Sequence, residues 1–354
     1  MNAEKLRARR RGGFLLEATA PGATSGAAVR AVAAGLPRAL DGRHLRVAIG
    51  LRLCDAACGD HLQAEMRRSV PGNAIELVAT LDPVAALRAG AVDLAAVDLR
   101  VEPRVSETLP LDLDLVGVLR RRPAGHGVIT ARPDQPLREL PLGAAVGATS
   151  ARCAAQLSAW RRDLRVDLAV GGASGWRQLL DEGALQALVL DYDQCPQGLR
   201  RWVAPHPSPR ASRAQGDPVL VPAPGAGAVG VIARVTPEAE PFVRLAAALT
   251  DVRARAEHAA EQACLIGLAH AVVAVDAVAV HAHARAGTVT LSAIRIEERC
   301  VARVSDVSGP VASARELGLR TAAELVDCVL PPPEGVVMPL TRRTIAVGGR
   351  PDRC

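Results

Sequence analysis

The sequence predicts an α/β protein: two similar lobes, each a mostly parallel sheet flanked by helices, followed by a smaller α+β domain. Three observations carry this expectation. From Leu45, apolar strand-like runs alternate with amphipathic helical runs, and a second alternating series begins near Gly127. Closer to the C-terminus, three strand-like runs follow one another without an intervening helix and close on a helical segment. Alternation of strand and helix implies parallel pairing through right-handed crossovers, whereas consecutive strands imply an antiparallel meander.

In the first series HLRVAIGLRL reads as a strand, CGDHLQAEMRRSV as a helix and NAIELVATL as a strand. DPVAALRAG then reads as a short helix and AVDLAAVDL as a third strand, apolar enough to be buried on both faces. In the second, GHGVITARP, GAAVGATS, LRVDLAV and LQALVLDY read as strands, with ARCAAQLSAWRRD and GWRQLLDEG as helices. Two successive units of this kind imply a cleft between lobes, since open α/β sheets bind ligands beyond their strand ends. Pro205–Pro218 is rich in Pro and Arg and reads as a loop. GAGAVG within residues 222–234 matches GxGxxG in letters, but it precedes a strand and does not open a helix, so it reads as a close-packed crossing between lobes. EPFVRLAAALTDVRARAEHAAEQACLIGL reads as one or two helices; AVVAVDAVAVHAHA, GTVTLSAIRI and ERCVARVSDV form the meander, and SARELGLRTAAELVDCV closes it. The expected boundaries are 1–44 for an N-terminal extension with one helix near Ala27–Ala39, 45–118 with 218–236 for lobe 1, and 119–217 for lobe 2. Residues 237–329 are then the α+β domain and 330–354 a tail.

Composition excludes several classes of function. Of the 43 basic residues, Lys5 is the only lysine, and a guanidinium neither forms an imine nor acts as a general base, so lysine-imine chemistry is removed. A net charge of +6 suits anionic ligands, but three Trp, two Phe and one Tyr leave few stacking platforms, so no nucleic-acid partner is expected. The eight cysteines are scattered without a CxxC pair and read as buried thiols rather than a disulfide framework. Cys54, Cys58 and His61 fall on one helical face, and His281 and His283 share a strand face. Neither set has the further ligands of a metal site, and no metal is expected. No apolar run reaches the length of a signal peptide or a membrane span, which makes a cytoplasmic protein the expectation; a monomer is expected as well.

Five strings, in order, resemble the porphobilinogen deaminase (hydroxymethylbilane synthase) family. VDLAAVDLRVEP is similar to its D-I-A-V-H-S-x-K-D-V-P segment and VGATSARCAAQL to its V-G-T-S-S-L-R-R-x-x-Q-L. GGASGWRQLLDEGALQALVLDYDQCPQGL, PAPGAGAVGV and ARAEHAAEQACLIGL resemble three further segments in the same order. The resemblance implies two periplasmic-binding-protein-like lobes, an α+β domain, and an enzyme that holds a dipyrromethane on a cysteine while adding porphobilinogen units to it. That chemistry needs an acid, a thiolate anchor and guanidinium groups for the acetate and propionate side chains.

Matched without gaps, the family's catalytic Asp falls on Val101 and its cofactor Cys on Leu268. Asp98 and Glu102 are the nearest acids, and Cys264, one helical turn before Leu268, is the nearest thiol. Arg100, Thr149, Ser150, Arg152 and Arg177 are the remaining candidates for anion binding, while the family's other arginines fall on Cys153, Val170 and Trp176. About twenty residues usual in the family between the second strand and DPVAALRAG, including a mobile cover for the cleft, are absent. The leading expectation is a divergent member that binds a small anion or pyrrole, or serves as a scaffold, with no cofactor. The alternative is an active hydroxymethylbilane synthase in which Cys264 and Asp98 have taken over, with dipyrromethane bound. A two-lobed solute-binding protein shares the cleft but lacks the α+β domain.

Overall fold

A computed structural model describes residues 46–328, apart from 53–55, 70–73, 101–107, 133–134, 170–171, 193–194, 207–215, 217–218, 272, 274–277 and 298–299. The expected helix near Ala27–Ala39 lies outside the described residues. The chain divides into two units, one of residues up to 122 with 227–255 and one of residues 123–226 with 256 onward. No helix among the described residues is long and apolar enough to cross a membrane. Strands and helices are numbered along the chain.

In the first unit, β1 (Arg46–Arg52), β2 (Ala74–Thr80) and β3 (Leu94–Asp98) are parallel, linked by α1 (Ala56–Ser69) and α2 (Pro83–Arg88). β4 (Leu113–Val118) completes the sheet through the returning strand β10 (Val229–Arg234), which is antiparallel to both β3 and β4, giving the order β2-β1-β3-β10-β4. β3 is buried along its whole length because both faces are covered. Leu94 and Ala96 join Ile49, Leu62 and Leu245 on one side, and Ala95 and Val97 join Leu87 and Ile232 on the other. Only Leu81 and Asp82 connect β2 to α2. Asp82 caps that helix, accepting from Val84 N at 2.9 Å and Ala85 N at 3.0 Å, ahead of Pro83 at the first helical position.

The expected boundary at 237 moves. Helix α5 (Glu240–Ala248) packs on the first sheet, with Leu245, Ala246 and Leu249 in its core, so the first unit runs to Arg255. The contact depends on Gly117 of β4, where a Cβ would stand 2.7 Å from Ala246 O. An apolar helix following β10 finds its nearest open apolar face on the sheet that β10 has just joined, which the sequence pattern could not specify.

In the second unit, β5 (His126–Thr130), β6 (Ala145–Ala148), β7 (Arg165–Leu168), β8 (Ala187–Asp191) and β9 (Ala204–Pro205) form a sheet of order β7-β6-β8-β5-β9. Its plan repeats that of the first: three parallel strands, then an antiparallel strand and one further strand antiparallel to that. Helix α3 (Ala151–Trp160) covers one face through Leu157, and α4 (Ala173–Asp181) the other through Leu180.

The same unit contains the α+β domain, in which α6 (Val252–His270) and α7 (Ala314–Asp327) pack on the meander of β11 (Val278–Arg285), β12 (Thr288–Glu297) and β13 (Cys300–Pro310). β11 and β12 join through Ala286 and Gly287, both at positive φ (49° and 78°), the pattern of a type I′ hairpin turn. β11 is an edge strand, and two of its amides are taken by helix α6. Glu257 Oε1 accepts from Ala284 N and Glu261 Oε1 from Ala282 N, each at 2.7 Å. Four residues of helix rise about 6 Å and two of strand about 6.6 Å, so carboxylates at i and i+4 match amides at j and j+2. Glu261 Oε2 also accepts from Gly225 N at 2.8 Å, and Arg303 Nη2 donates to Val219 O at 2.8 Å, tying this domain to the segment that leaves the second sheet.

Helices α6 and α7 touch through Gly318, where a Cβ would lie 2.2 Å from Ala260 O and 2.9 Å from Cys264 N. Gly318→Ala is expected to destabilise the second unit by about 3 kcal/mol, read as a lower urea midpoint, because neither backbone atom can move away cheaply.

Candidate functional site

The carboxyl ends of the two sheets carry most of the polar residues singled out in the sequence. At the end of β3, Asp98 is 6% exposed. Its Oδ1 accepts from the amide of Arg100 at 2.9 Å, and its Oδ2 lies 3.1 Å from Arg122 Nη2, itself largely buried. Both oxygens thus serve a turn and an internal ion pair. Such a pair, taken out of water, is costly to break because it strands the remaining charge. Arg100 is half-buried with its amide engaged; Val101 and Glu102 lie outside the described residues.

At the end of β6, the amide of Thr149 donates to Val189 O of β8 at 3.1 Å. Ser150 caps α3, its Oγ accepting from Cys153 N at 3.2 Å. Arg152, half-buried, donates from Nε to Val278 O at the start of β11 at 2.5 Å. The structure makes it a strut between the second sheet and the α+β domain. Gln156 has a similar task, its amide bonding both Val221 N (2.7 Å) and Val221 O (3.0 Å). Beside Thr149 and Ser150, strand pairing places Asp191, the last residue of β8, opposite His126, the first of β5. Both side chains are buried, with His126 Nε2 3.5 Å from Asp191 Oδ1. Burial, reinforced by the Asp191 charge, pushes the Cys153 thiol well above the ordinary range.

Arg177 does not join this group. α4 opens at Gly172, and Trp176 takes the inward position with its Nε1 on Ala169 O at 3.2 Å. Arg177 is consequently held in the exposed half of the helix by Asp181, at 2.9 and 2.7 Å, and stacks on Trp202 with 4.5 Å to the ring centroid.

The thiol candidate is enclosed. Helix α6 continues to His270, so position 268 is helical and Leu268, 1% exposed, lies in the core with Leu265, Val280 and Leu291. Cys264 is in the same core at 0% exposure, and burial, with Glu261 contributing, pushes its thiol up to about 12. A thioether to a dipyrromethane needs a thiolate with room beside it, and neither position supplies one, so the residues present do not fit the anchored group. Among the described residues no cluster of three His, Cys, Asp or Glu could hold a metal. Cys58 is buried, His61 Nε2 meets Arg120 O at 2.5 Å, and Cys54 lies outside the described residues. His281 is partly buried 3.6 Å from Glu261, and His283 is exposed 3.8 Å from Glu257.

The sequence reading missed Arg122, Gln156 and the His126–Asp191 pair. Gln156 stands in the quoted Q-L and could have been found there. His126 and Asp191 sit at the ends of apolar runs 65 positions apart, and only strand register reveals their meeting.

Fold and site together define a protein with two α/β sheets of like plan and an α+β domain. Residues 80–240 match the family model described as porphobilinogen deaminase, dipyrromethane cofactor binding domain. A porphobilinogen deaminase of Syntrophobacter fumaroxidans is 30% identical over 247 residues, 68% of this chain and 74% of that relative. One from Roseiflexus castenholzii is 37% identical over 180 residues, 51% of this chain and 55% of that relative, so the chain matches about half the length of the latter. Among solved structures, the second substrate binding domain of a putative amino acid ABC transporter from Streptococcus pneumoniae aligns at 16% identity and a TM-score of 0.35, over 57% of this chain and 93% of that one. The chain belongs to the porphobilinogen deaminase family.

Cys153 and Cys264 are expected to resist a chromogenic disulfide reagent in the folded protein at pH 8 and to react once urea unfolds it, as located by peptide mapping. A thiol at about 12 is ionised to only on the order of one part in ten thousand at that pH. Since the folded pKa of Cys264 is raised, its contribution to stability is complete below 9.0 and is lost as pH rises toward 12.

Proposed function

We propose that this protein keeps the framework of the porphobilinogen deaminase family without the family's thiol-anchored polymerisation of porphobilinogen, and that it binds a small anion or pyrrole or acts as a scaffold. The observation that carries this reading is the enclosure of Leu268 and Cys264 in one hydrophobic core, which leaves no thiol where the resemblance puts the cofactor anchor. Asp98 supports it, since both its oxygens are committed to Arg100 and Arg122. Losing either an acid or an anchoring nucleophile alone lowers a rate by orders of magnitude. A small anionic ligand, a cytoplasmic location and a monomeric state belong to the same proposal.

The second reading, an active hydroxymethylbilane synthase, draws on family membership and on Thr149 and Ser150 at the capped start of α3, where helix amides favour an anion. It requires Cys264 to leave the core, at the cost of opening the contact between α6 and α7.

Intact mass of the purified protein, with an aldehyde colour test for pyrroles, separates the two. The unmodified mass and no colour are expected; a covalent pyrrole adduct, above all on Cys264, would sink the proposal. Leu268→Cys is expected to gain no adduct when supplied with porphobilinogen, because position 268 faces the core. Calorimetry with porphobilinogen then distinguishes a binder from a scaffold.

A further inference from the structure

The second sheet has a concave groove at its β5/β9 edge, away from the strand ends that carry Thr149 and Asp191. Its volume, about 640 Å³, falls in the range of small-molecule sites. β9 is two residues long and pairs with β5 only at Gly127 and Val128, so among the described residues no strand pairs with β5 from there to Thr130. Gly125 and Ala131 bond toward β8 through Tyr192 N and Gln186 O. By alternation, the N–H and C=O of Thr130 turn outward into the groove. Val128, Ile129, Leu137 and Leu180 give it an apolar lining.

The polar wall is cationic, with Arg138, Arg177 and Arg201 set against the single carboxylate of Asp181. Trp202, 46% exposed, carries Arg177 at 4.5 Å and Arg201 at 5.0 Å from its ring centroid. Stacking of this kind holds guanidinium planes in place and leaves their edge N–H groups for an acceptor. Arg177 already spends two of those groups on Asp181, whereas among the described residues no carboxylate pairs with Arg201.

We infer that this groove binds a small planar aromatic carboxylate. The ring lies on the apolar lining beside the guanidinium–indole stack, and the carboxylate is taken by Arg201. A lone phosphate would leave the apolar lining unused, and one open strand position is too few for a peptide to add as a strand. Apart from Arg177, the groove shares none of the candidate residues of the tetrapyrrole reading, and the inference stands whichever way the adduct measurement falls.

The test is calorimetric titration of the full chain with benzoate, and in parallel with benzamide and cyclohexanecarboxylate. Benzoate is expected to saturate a single site and to bind about tenfold more tightly than the uncharged benzamide, with the non-planar acid in between. Arg201→Gln and Trp202→Leu, both at exposed positions, are expected to weaken benzoate about tenfold without moving the thermal midpoint. Asp181→Asn is expected to tighten it severalfold by releasing Arg177, a gain that damage to the fold could not produce. No saturable benzoate binding at millimolar concentration, equal binding of benzamide, or an unchanged affinity in Arg201→Gln would each overturn the assignment.

Discussion

The α+β domain depends on two carboxylates of one helix. Glu257 and Glu261 of α6 are buried, and each accepts an edge amide of β11, so the helix is registered on the strand by hydrogen bonds as well as by apolar contact. Charge-assisted bonds to backbone amides in a dry setting are strong and directional. They fix the rotation of α6, and with it which side chains face inward. Cys264 and Leu268 lie on the inward face because of that rotation, three and seven residues after Glu261. The enclosure of the thiol thus follows from the same geometry that satisfies the sheet edge.

Elsewhere in the molecule, groups suited to an anionic ligand are turned on partners within the chain. Arg122 is paired with Asp98, Arg152 supports a carbonyl of β11, Arg177 is held by Asp181, and Asp191 stands beside His126 near the capped start of α3. In each case a polar side chain links two parts of the chain.

Much of the fold could be read from the sequence because burial on two faces and strict alternation leave clear marks. The apolar runs LAAVD and ALVLD became β3 and β8, and the meander appeared where three strand-like runs stood in succession. What escaped were long-range choices. Helix α5 is apolar along one side and would suit either neighbouring domain; Gly117 decides the matter by admitting its backbone. The position of Arg177 likewise depends on whether Trp176 or the arginine turns inward, a choice made by packing rather than periodicity. Asp98 was legible as an acid at a strand end, but its commitment to Arg122 was not, because that partner arrives from beyond another strand.

The two-residue connection between β2 and α2 has a consequence for recognition. Leu81 and Asp82 leave no slack, and Asp82 fixes both amides of the first helical turn. A long cover segment must be ordered when it closes, and each residue so fixed costs conformational entropy that the ligand's contacts have to offset. The connection from β2 to α2 holds no such segment. A ligand that meets this turn meets capped amides already in place, and its contacts need not offset the ordering of the connection.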